Sequence, residues 1–370
     1  MIDESKKFDV VIIGGGPAGI SAGISLGRNG LKVAILEKTN YEQMRIGETL
    51  HPSIRPLLNE LGIWSDFQFV PSNISHGIKS SWGGNNLTTH SFLVNPYGVG
   101  WHIDRQKFDK ILATSVSNIG IKIFTNVSFA KCISKPNHEW IIQFYNKNHL
   151  IDYCQSNSLD AKAIIDATGR NSTLSTKFGA KKIIYDNLIG VAIQFQKQKD
   201  IDHFTLIEAC KEGWWYSAQL PSNRLVVIFM TDTDLVAKYN LTDIKGWRDL
   251  LRSSKYTFNR CSKLKYIWGP SLFPAFSQRL QRYYSKEKWL AVGDSAIGVD
   301  PLSASGISNA IKSGYEGGKA IYQWIRGDKS YSDLYEQMLD KRFDEYLVLR
   351  RYYYSMEKRW ENSLFWKRRN

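Results

Sequence analysis

The stretch FDVVIIGGGPAGISAGISLGRNGLKVAILEK, residues 8–38, decides the fold. It opens with an apolar, β-branched run at residues 8–13, a pattern that predicts a buried parallel strand. Gly14, Gly16 and Gly19 follow directly in the spacing Gly-x-Gly-x-x-Gly. In this spacing the first glycine permits a tight turn, the second lets the backbone approach a pyrophosphate, and the third lets the next helix pack closely on the strand.

The residues after the glycines complete the pattern. A helix that begins near Pro17 and Ala18 would point free N–H groups and a partial positive charge at phosphate oxygens. A second strand at residues 32–36 ends at Glu37, whose carboxylate can accept a hydrogen bond from a ribose hydroxyl. The stretch therefore predicts a dinucleotide site and leaves FAD and a nicotinamide nucleotide both open. The residues assigned to it are Gly14, Gly16, Pro17, Ala18, Gly19, Glu37 and Lys38.

A second stretch, KWLAVGDSAIGVDPLSASGISNAI from residue 288, favours FAD. Residues 289–292 predict another buried strand, and an acid that follows a strand in this way can bind a ribose or ribityl hydroxyl. The chain then runs through small residues into a helix N-terminus, which can stabilise negative charge on a flavin. The residues assigned to this part of the site are Gly293, Asp294, Pro301, Ser305, Gly306 and Ile307.

Together these motifs resemble the monooxygenases of the glutathione-reductase-like FAD superfamily, which includes aromatic hydroxylases, flavin-dependent halogenases and geranylgeranyl reductases. Further matches are RIGETLHPSIRPLLNELGI from residue 45, GWHIDRQKFDKIL from residue 100 and IIDATGRNS from residue 164. The resemblance implies that Arg45 and Glu48 lie in a loop close to the flavin, that Arg105 lies near the cofactor, and that Asp294 binds it. It also implies O2 as co-substrate and electrons from NADH, NADPH or a flavin reduced by a separate reductase.

A closer resemblance covers nearly the whole chain. The segments GETLHP, NPYGVGWHIDRQKFD, GWWYSAQLP and RWENSLFWKRR together are similar to flavoproteins required by quinone-cofactor amino-acid oxidases for glycine or lysine. Those oxidases carry cysteine tryptophylquinone, which is built from their own tryptophan and cysteine. The resemblance implies an FAD-dependent monooxygenase that hydroxylates a tryptophan residue of an oxidase precursor, and it makes that precursor the protein partner.

The predicted fold class is α/β, with a glutathione-reductase-like Rossmann FAD-binding domain interleaved with a β-sheet substrate domain and a helical C-terminus. The FAD-binding domain takes residues 1–72, 100–182 and 281–325. The substrate domain takes residues 73–99 and 183–280, and the C-terminal helical segment takes residues 326–370. Within the substrate domain, residues 204–209, 213–220 and 225–231 predict strands, with a turn at residues 221–223.

The strand GWWYSAQL, residues 213–220, is the candidate wall of the substrate site. Because alternate side chains of a strand share a face, Trp214 and Tyr216 point one way and Trp215 the other. We expect one face to pack on helices and the other to look towards the flavin, where it excludes water and can stack on an indole. A nearby cation would stabilise a reduced flavin anion. The catalytic candidates are Trp214, Trp215, Tyr216, Lys79 and His76, with His102 as a further cation.

Other functions stay open. Flavin-dependent halogenases carry a Trp-x-Trp-x-Ile-Pro motif and a tunnel lysine, whereas here Tyr216 replaces the second tryptophan and Gln219 the proline. The lysine position falls on Ser75 when GIKSSW is matched to the halogenase strand. A small-molecule aromatic hydroxylase is a further alternative, as is a non-catalytic flavoprotein chaperone of the oxidase precursor. A prenyl-chain reductase fits poorly with a polar aromatic wall.

The composition limits the classes of molecule that we expect the protein to bind. The formal net charge of +14 indicates an acidic partner or an anionic ligand, and the basic residues are spread without a nucleic-acid motif, so we expect no nucleic acid. There is no apolar run of membrane-spanning length, no signal-peptide pattern and no metal-binding histidine spacing. Cys132, Cys154, Cys210 and Cys261 have no clustered spacing, which favours a cytoplasmic protein away from the membrane.

The C-terminus, residues 341–370, has nine basic and four acidic side chains interleaved with aromatic residues. One interpretation is a helix laid on the body of the protein with its aromatic side chains inward. The other is a surface that docks an acidic protein partner.

Overall fold

A computed structural model of the chain describes residues 6–117, 119–136, 139–147, 157–196 and 202–370. The strands are β1 (Lys7–Ile13), β2 (Val33–Leu36), β3 (Thr49–Leu50), β4 (Ser72–Ser75), β5 (Gly77–Ser81), β6 (Thr88–Ser91), β7 (Gly100–Ile103), β8 (Lys122–Phe124), β9 (Val127–Ser134), β10 (Trp140–Asn146), β11 (Asn157–Asp166), β12 (Lys182–Ile184), β13 (Leu188–Gln196), β14 (Phe204–Cys210), β15 (Gly213–Leu220), β16 (Arg224–Asp232), β17 (Lys265–Pro274), β18 (Gln278–Leu280), β19 (Tyr284–Ser285), β20 (Trp289–Ala291) and β21 (Ile297–Gly298). The helices are α1 (Pro17–Arg28), α2 (Ile54–Glu60), α3 (Trp64–Phe67), α4 (Arg105–Ser117), α5 (Thr173–Lys177), α6 (Thr233–Lys238), α7 (Ile244–Leu251), α8 (Tyr256–Cys261), α9 (Gly306–Ile325), α10 (Ser330–Ser355) and α11 (Leu364–Lys367). Cys154 lies outside the described residues, and Cys132, Cys210 and Cys261 are free thiols.

The first sheet is built on the glycine-rich stretch. Its order is β19-β20-β11-β1-β2-β8, and β9 and β10 join it through β11. β1 pairs in parallel with both β2 and β11, and β2 pairs in parallel with β8. β2 is entirely apolar and buried, and so are residues 10–13 of β1, as the centre of a parallel sheet requires. Their carboxyl ends therefore meet at one edge, which is where doubly wound sheets bind their ligands.

The second sheet has the order β17-β13-β16-β15-β14-β5-β6, and its pairs are antiparallel apart from β14 with β5. β15 and β16 form the predicted hairpin, and its turn holds Ser222 and Asn223 at φ 62° and 54°. The three strands predicted in this region are confirmed to within one residue at each end. Two small sheets, β3-β7-β4 and β12-β18-β21, complete the strand pairing among the described residues.

The two large sheets interleave along the chain. The first takes its strands from residues 7–166 and 284–291, and the second from residues 77–91 and 188–274. The α/β fold class with an interleaved second sheet is thus confirmed, while the predicted domain boundaries stay a prediction.

Helix α1 lies against the long helix α9. The two stretches of sequence that were assigned to the cofactor, one before each helix, therefore lie close together. The Ser21 hydroxyl donates to the Ile311 carbonyl oxygen at 2.6 Å. A Cβ atom at Gly314 would stand 2.1 Å from the Ala18 carbonyl oxygen, so only glycine lets the two helices approach this closely.

The C-terminal region forms α10 and α11 and packs on the second sheet. Tyr354, Phe365 and Trp366 are fully buried, whereas Tyr352 and Tyr353 are exposed. The buried rings join one apolar cluster with Trp214 of β15. The prediction of a C-terminal helix that turns its aromatic side chains inward is therefore confirmed for Tyr354, Phe365 and Trp366. Over the described ranges, no helix has the combined length and apolar character that crossing a bilayer demands.

Candidate active site

A cavity of about 790 Å³ lies where the carboxyl ends of the parallel strands face β15, β16 and β17. It brings together most of the residues that the sequence assigns to the cofactor. Those that line it are Gly14, Gly16, Pro17, Ala18, Glu37, Lys38, Arg45, Glu48, Arg105, Asp294, Pro301, Gly306 and Ile307. Gly19, Gly293 and Ser305 are not among the described residues that border it.

The three glycines of the first motif have three different surroundings. Gly14 adopts φ +110°, and a Cβ atom there would stand 2.2 Å from the Ala167 carbonyl oxygen. A Cβ atom at Gly19 would stand 1.9 Å from the Gly14 carbonyl oxygen, so this position serves close packing. A Cβ atom at Gly16 would instead meet no atom within 4 Å and would project into open space. The open space at Gly16, beside the N-terminus of α1, fits a bound pyrophosphate.

Glu37 is buried at the end of β2 and is held rigidly. It accepts from the Gly15 backbone N–H at 2.7 Å through Oε2 and from the Thr39 hydroxyl at 2.6 Å through Oε1. Arg45 lies 3.3 Å from Oε1. A carboxylate oxygen has two acceptor sites, so Oε2 keeps the capacity to accept from a ribose hydroxyl.

The loop at residues 45–48 is tied to α4 by a buried carboxylate. Asp109 is 2% exposed and lies 3.1 Å from Arg45 Nη1 and 3.2 Å from Arg105 Nη2. Arg105 also donates to the carbonyl oxygens of Ile46 and Gly47, each at 3.1 Å. The sequence indicated the two arginines and missed Asp109, although it stands four residues after Arg105, on the same helix face.

Asp294 lies just after β20 and borders the cavity. Its Oδ2 lies 3.2 Å from Arg170 Nε, and its side chain is 35% exposed, so acceptor sites remain for a cofactor hydroxyl. Arg170 also donates to the carbonyl oxygen of Val299 at 2.6 Å and to that of Phe276. This arginine belongs to the IIDATGRNS segment, but sequence reasoning gave its side chain no role.

Ser305 directly precedes α9, and its hydroxyl bonds with its neighbours instead of facing the cavity. It lies 2.7 Å from the Ser303 hydroxyl and accepts from Asn309 Nδ2 at 3.2 Å. Gly293 adopts φ +60°, and a Cβ atom there would stand 2.6 Å from the Ala18 Cβ. Both residues therefore shape the loop and its packing, and their direct contact with a cofactor stays a prediction.

The wall opposite the glycines is made by β15 and its neighbours. Trp214 and Tyr216 border the cavity together with Ile228, Met230 and Phe273. Trp215 points to the other face of the sheet. There the centroid of its ring lies 4.5 Å from that of Phe229 and 5.0 Å from that of Trp247. The strand alternation predicted from the sequence therefore holds, and it places Trp215 in the core away from the cavity.

Trp214 is held in place by a hydrogen bond to a side chain of helix α10. Its indole N–H donates to the Tyr354 hydroxyl at 3.1 Å, and that hydroxyl donates to Asp300 Oδ2 at 2.6 Å. Asp300 is 1% exposed and directly precedes Pro301, a cavity residue. One tyrosine thus links the aromatic wall to the loop that enters α9. No local sequence pattern indicates this link, because its members are far apart along the chain.

Two of the predicted catalytic side chains lie elsewhere. Lys79 Nζ is 3.7 Å from Asp202 and 4.6 Å from the centroid of the Phe204 ring. His76 is exposed, and its ring lies 5.0 Å from that of His203. Neither Lys79 nor His76 is among the described residues that border the cavity. This geometry gives neither of them contact with a reaction in the cavity.

His102 is buried and does not supply a positive charge. Its Nε2 lies 2.8 Å from the Thr205 hydroxyl, and burial lowers its pKa to about 3, so the ring is neutral at physiological pH. The buried cation nearby is Arg260 of α8, which donates to the backbone carbonyl oxygens of Ser217 and Phe204 at 3.1 and 2.9 Å. Nothing in the local sequence marks Arg260 as buried.

Glu48 is the most unusual group that borders the cavity. It is 2% exposed, and neither carboxylate oxygen makes a hydrogen bond to any described residue. Burial raises its pKa to about 7, even though the backbone N–H groups of Glu48 and Gly47 and the guanidinium groups of Arg105 and Arg224 favour the charged form. The neighbouring Tyr216 hydroxyl bonds with the Thr49 hydroxyl at 2.5 Å.

The glycine cradle formed by Gly14 and Gly16, the acids at two strand ends and the parallel sheet define a dinucleotide-binding protein of the Rossmann type. The chain belongs to the FAD binding domain family, whose model matches residues 7–342. The predicted cofactor, FAD, is confirmed by this membership, and so is the prediction that the chain is an FAD-dependent oxidoreductase. Dioxygen and a reduced-flavin donor are typical of the family.

The similar proteins include oxidoreductases and halogenases. The chain is 29% identical over 371 residues to "Putative FAD-dependent oxidoreductase LodB" of Marinomonas mediterranea, across 99% of this chain and 97% of the relative. It is 24% identical to a brominase for 1H-pyrrole-2-carbonyl on a peptidyl-carrier protein from Pseudoalteromonas luteoviolacea, across 88% of this chain and 80% of the relative. The solved myxobacterial chondrochloren halogenase CndH superimposes with a TM-score of 0.89 at 18% identity, across 99% of this chain and 86% of that one. The last likeness concerns the fold alone.

Proposed function

We propose that the chain is an FAD-dependent monooxygenase that hydroxylates a tryptophan residue of a quinone-cofactor oxidase precursor, as a step in the biosynthesis of cysteine tryptophylquinone. The motifs that resemble the flavoproteins of such oxidases support this proposal. So does the full-length similarity to LodB, which is named as an FAD-dependent oxidoreductase. The proposed reaction is a post-translational modification carried out in the cytoplasm.

The observation that carries the proposal is that the glycines of the first motif and the aromatic side chains of β15 line the same cavity. Gly16 at one end and Trp214 and Tyr216 at the other border the same cavity of about 790 Å³. Because Trp214 is 1% exposed and Tyr216 is partly exposed, an aromatic ring would stack on Tyr216, in a water-poor space shared with the flavin. This arrangement supports the proposal that oxygen is transferred to an indole.

FAD, when bound, supplies two-electron chemistry with dioxygen. The cradle at Gly14 and Gly16 would hold its pyrophosphate, while Glu37 and Asp294 would accept from its hydroxyl groups. Arg105 brings a fixed positive charge to the cavity and orders the loop at residues 45–48. Trp214 and Tyr216 stay in the proposed substrate site, whereas Trp215, Lys79 and His76 do not.

The proposed partner is an acidic surface of the oxidase precursor. The net charge of +14 would raise the rate at which such a surface meets this protein, and added salt would weaken the association. Electrons would come from NADH, NADPH or a flavin reduced by another enzyme.

The decisive experiment produces the oxidase precursor with and without this chain and maps its cofactor tryptophan by peptide mass spectrometry. We expect added oxygen on that tryptophan only when the chain is present. Co-production with Gly16→Val should give no oxygen, because that variant loses FAD, and Gly84→Val serves as the matched active control. A tryptophan that is equally oxygenated without the chain would contradict the proposal and favour the chaperone alternative.

A flavin-dependent halogenase is the second candidate, because the chain is similar to a carrier-protein brominase over 88% of its length. The departures at Tyr216 and Gln219 from the halogenase motif argue against it. Incubation with reduced flavin, O2, bromide and free tryptophan should therefore give no bromoindole by mass spectrometry, with the brominase on its own substrate as positive control. A bromoindole that depends on this chain would instead support the halogenase.

A further inference from the structure

Glu48 stands out among the buried polar groups because it borders a cavity and has no partner. Thirteen further side-chain atoms of the described residues are buried without a hydrogen bond, but none of them belongs to a carboxylate. An ionised carboxylate taken from water without hydrogen bonds is strongly destabilised. The two oxygens are sealed from the cavity that the residue borders, so the charge of this carboxyl group is exposed to the electric field of the cavity without screening by solvent.

The surroundings of Glu48 hold it in place without neutralising it. Arg105 is engaged with Asp109 and with two backbone carbonyl oxygens of the loop. Arg224 is engaged with Asp104 at 2.9 Å. Both guanidinium groups act on Glu48 electrostatically, and neither bonds to it. On the side of β15, the Tyr216 hydroxyl is paired with Thr49.

We propose that Glu48 is the charge-compensating residue beside the cavity: its carboxyl group takes up a proton when negative charge develops on the occupant and gives that proton up when the charge is lost. Arg105 and Arg224 are paired with Asp109 and Asp104, and the backbone N–H groups of Gly47 and Glu48 belong to the loop itself, so uptake of a proton is the means by which this carboxyl group can respond to a change of charge. A carboxyl group that titrates near neutral pH is suited to that role, since it is readily protonated and readily ionised.

The chemistry of the proposed function, on which this part of the inference rests, adds and then removes negative charge in the cavity. Hydroxylation of an aromatic ring consumes one O2, two electrons from the donor and two protons. One oxygen atom forms the new carbon–oxygen bond and the other leaves as water. The ring carbon loses its C–H bond, the electron pair stays in the ring, and a proton is released. Glu48 would hold its own proton while negative charge is present in the cavity and release it to solvent when that charge is lost, so it ends the cycle ionised, as it began.

The test measures protons and needs neither substrate nor partner. The FAD-bound protein is reduced anaerobically in weakly buffered solution between pH 6.5 and 8, and proton uptake is followed with an indicator dye. A new negative charge raises the pKa of a nearby carboxyl group, so the wild type should take up as much as about one proton more per flavin than Glu48→Gln. Glu60→Gln, an exposed carboxylate on α2, should match the wild type.

Equal proton uptake in wild type and Glu48→Gln, with FAD bound in both, would overturn the assignment. If Glu48→Gln fails to hold FAD, the infrared difference spectrum of the wild type on reduction decides. A protonated-carboxyl band that grows on reduction and shifts in Glu48→Asp supports the proposal, and its absence overturns it. Because these measurements use only FAD and a reductant, their outcome is independent of whether a tryptophan is the substrate.

Discussion

Gly16→Val should weaken FAD binding by at least about 100-fold, equivalent to about 2.7 kcal/mol, while the flavin-free protein unfolds at an unchanged temperature. Gly16 has ordinary backbone angles, φ −75° and ψ −177°, so valine introduces no backbone strain. Its side chain would project into space where no protein atom lies within 4 Å. The isopropyl group would therefore occupy the pyrophosphate position without disturbing the fold. Absorbance titration with FAD and a thermal melt measure the two effects.

Gly84→Val is the matched control. It also places a side chain in open space, its φ lies outside the left-handed region, and it is not among the described residues that border the cavity. Its FAD affinity should equal that of the wild type. Unchanged FAD affinity in Gly16→Val would remove the glycine cradle as the pyrophosphate site.

The second large effect concerns the C-terminus, where Arg369→Ala should cost about 3–5 kcal/mol of unfolding free energy. The Arg369 side chain is 1% exposed, as is that of its partner Asp232, and the two make paired contacts of 2.6 and 3.0 Å. The guanidinium carbon also lies 3.7 Å from the centroid of the Phe365 ring. Removing the arginine leaves a buried carboxylate with only the more exposed Arg368 as counter-charge, 2.8 Å away.

Urea unfolding of the FAD-bound protein, followed by circular dichroism, measures this loss. Lys367→Ala changes an exposed basic residue two positions before Arg369, at the end of α11, and should alter stability by no more than about 0.5 kcal/mol. Equal stability of the two variants would show that the C-terminal segment does not support the fold. A loss confined to Arg369→Ala would instead show that this basic segment is part of the core, even though its composition also suits a docking surface.

The sequence by itself determined the features that depend on neighbours along the chain. The glycine spacing, the acid after β2 and the alternation of β15 are local patterns, because a turn, a strand end and a pleat are each set by a few consecutive residues. For the same reason the hairpin of β15 and β16 was predictable from its turn residues. The resemblance of distant motifs then selected FAD over a nicotinamide nucleotide.

The tertiary structure alone decided which side chains meet across the chain. Asp300, Tyr354 and Trp214 form one hydrogen-bonded link, and Arg369 finds Asp232, although the members of each set are remote in sequence. It also placed Lys79 beside Asp202 and left Glu48 buried without a partner. Burial and charge pairing depend on which elements pack together, and the packing of two interleaved sheets is a property of the whole chain that no short segment encodes.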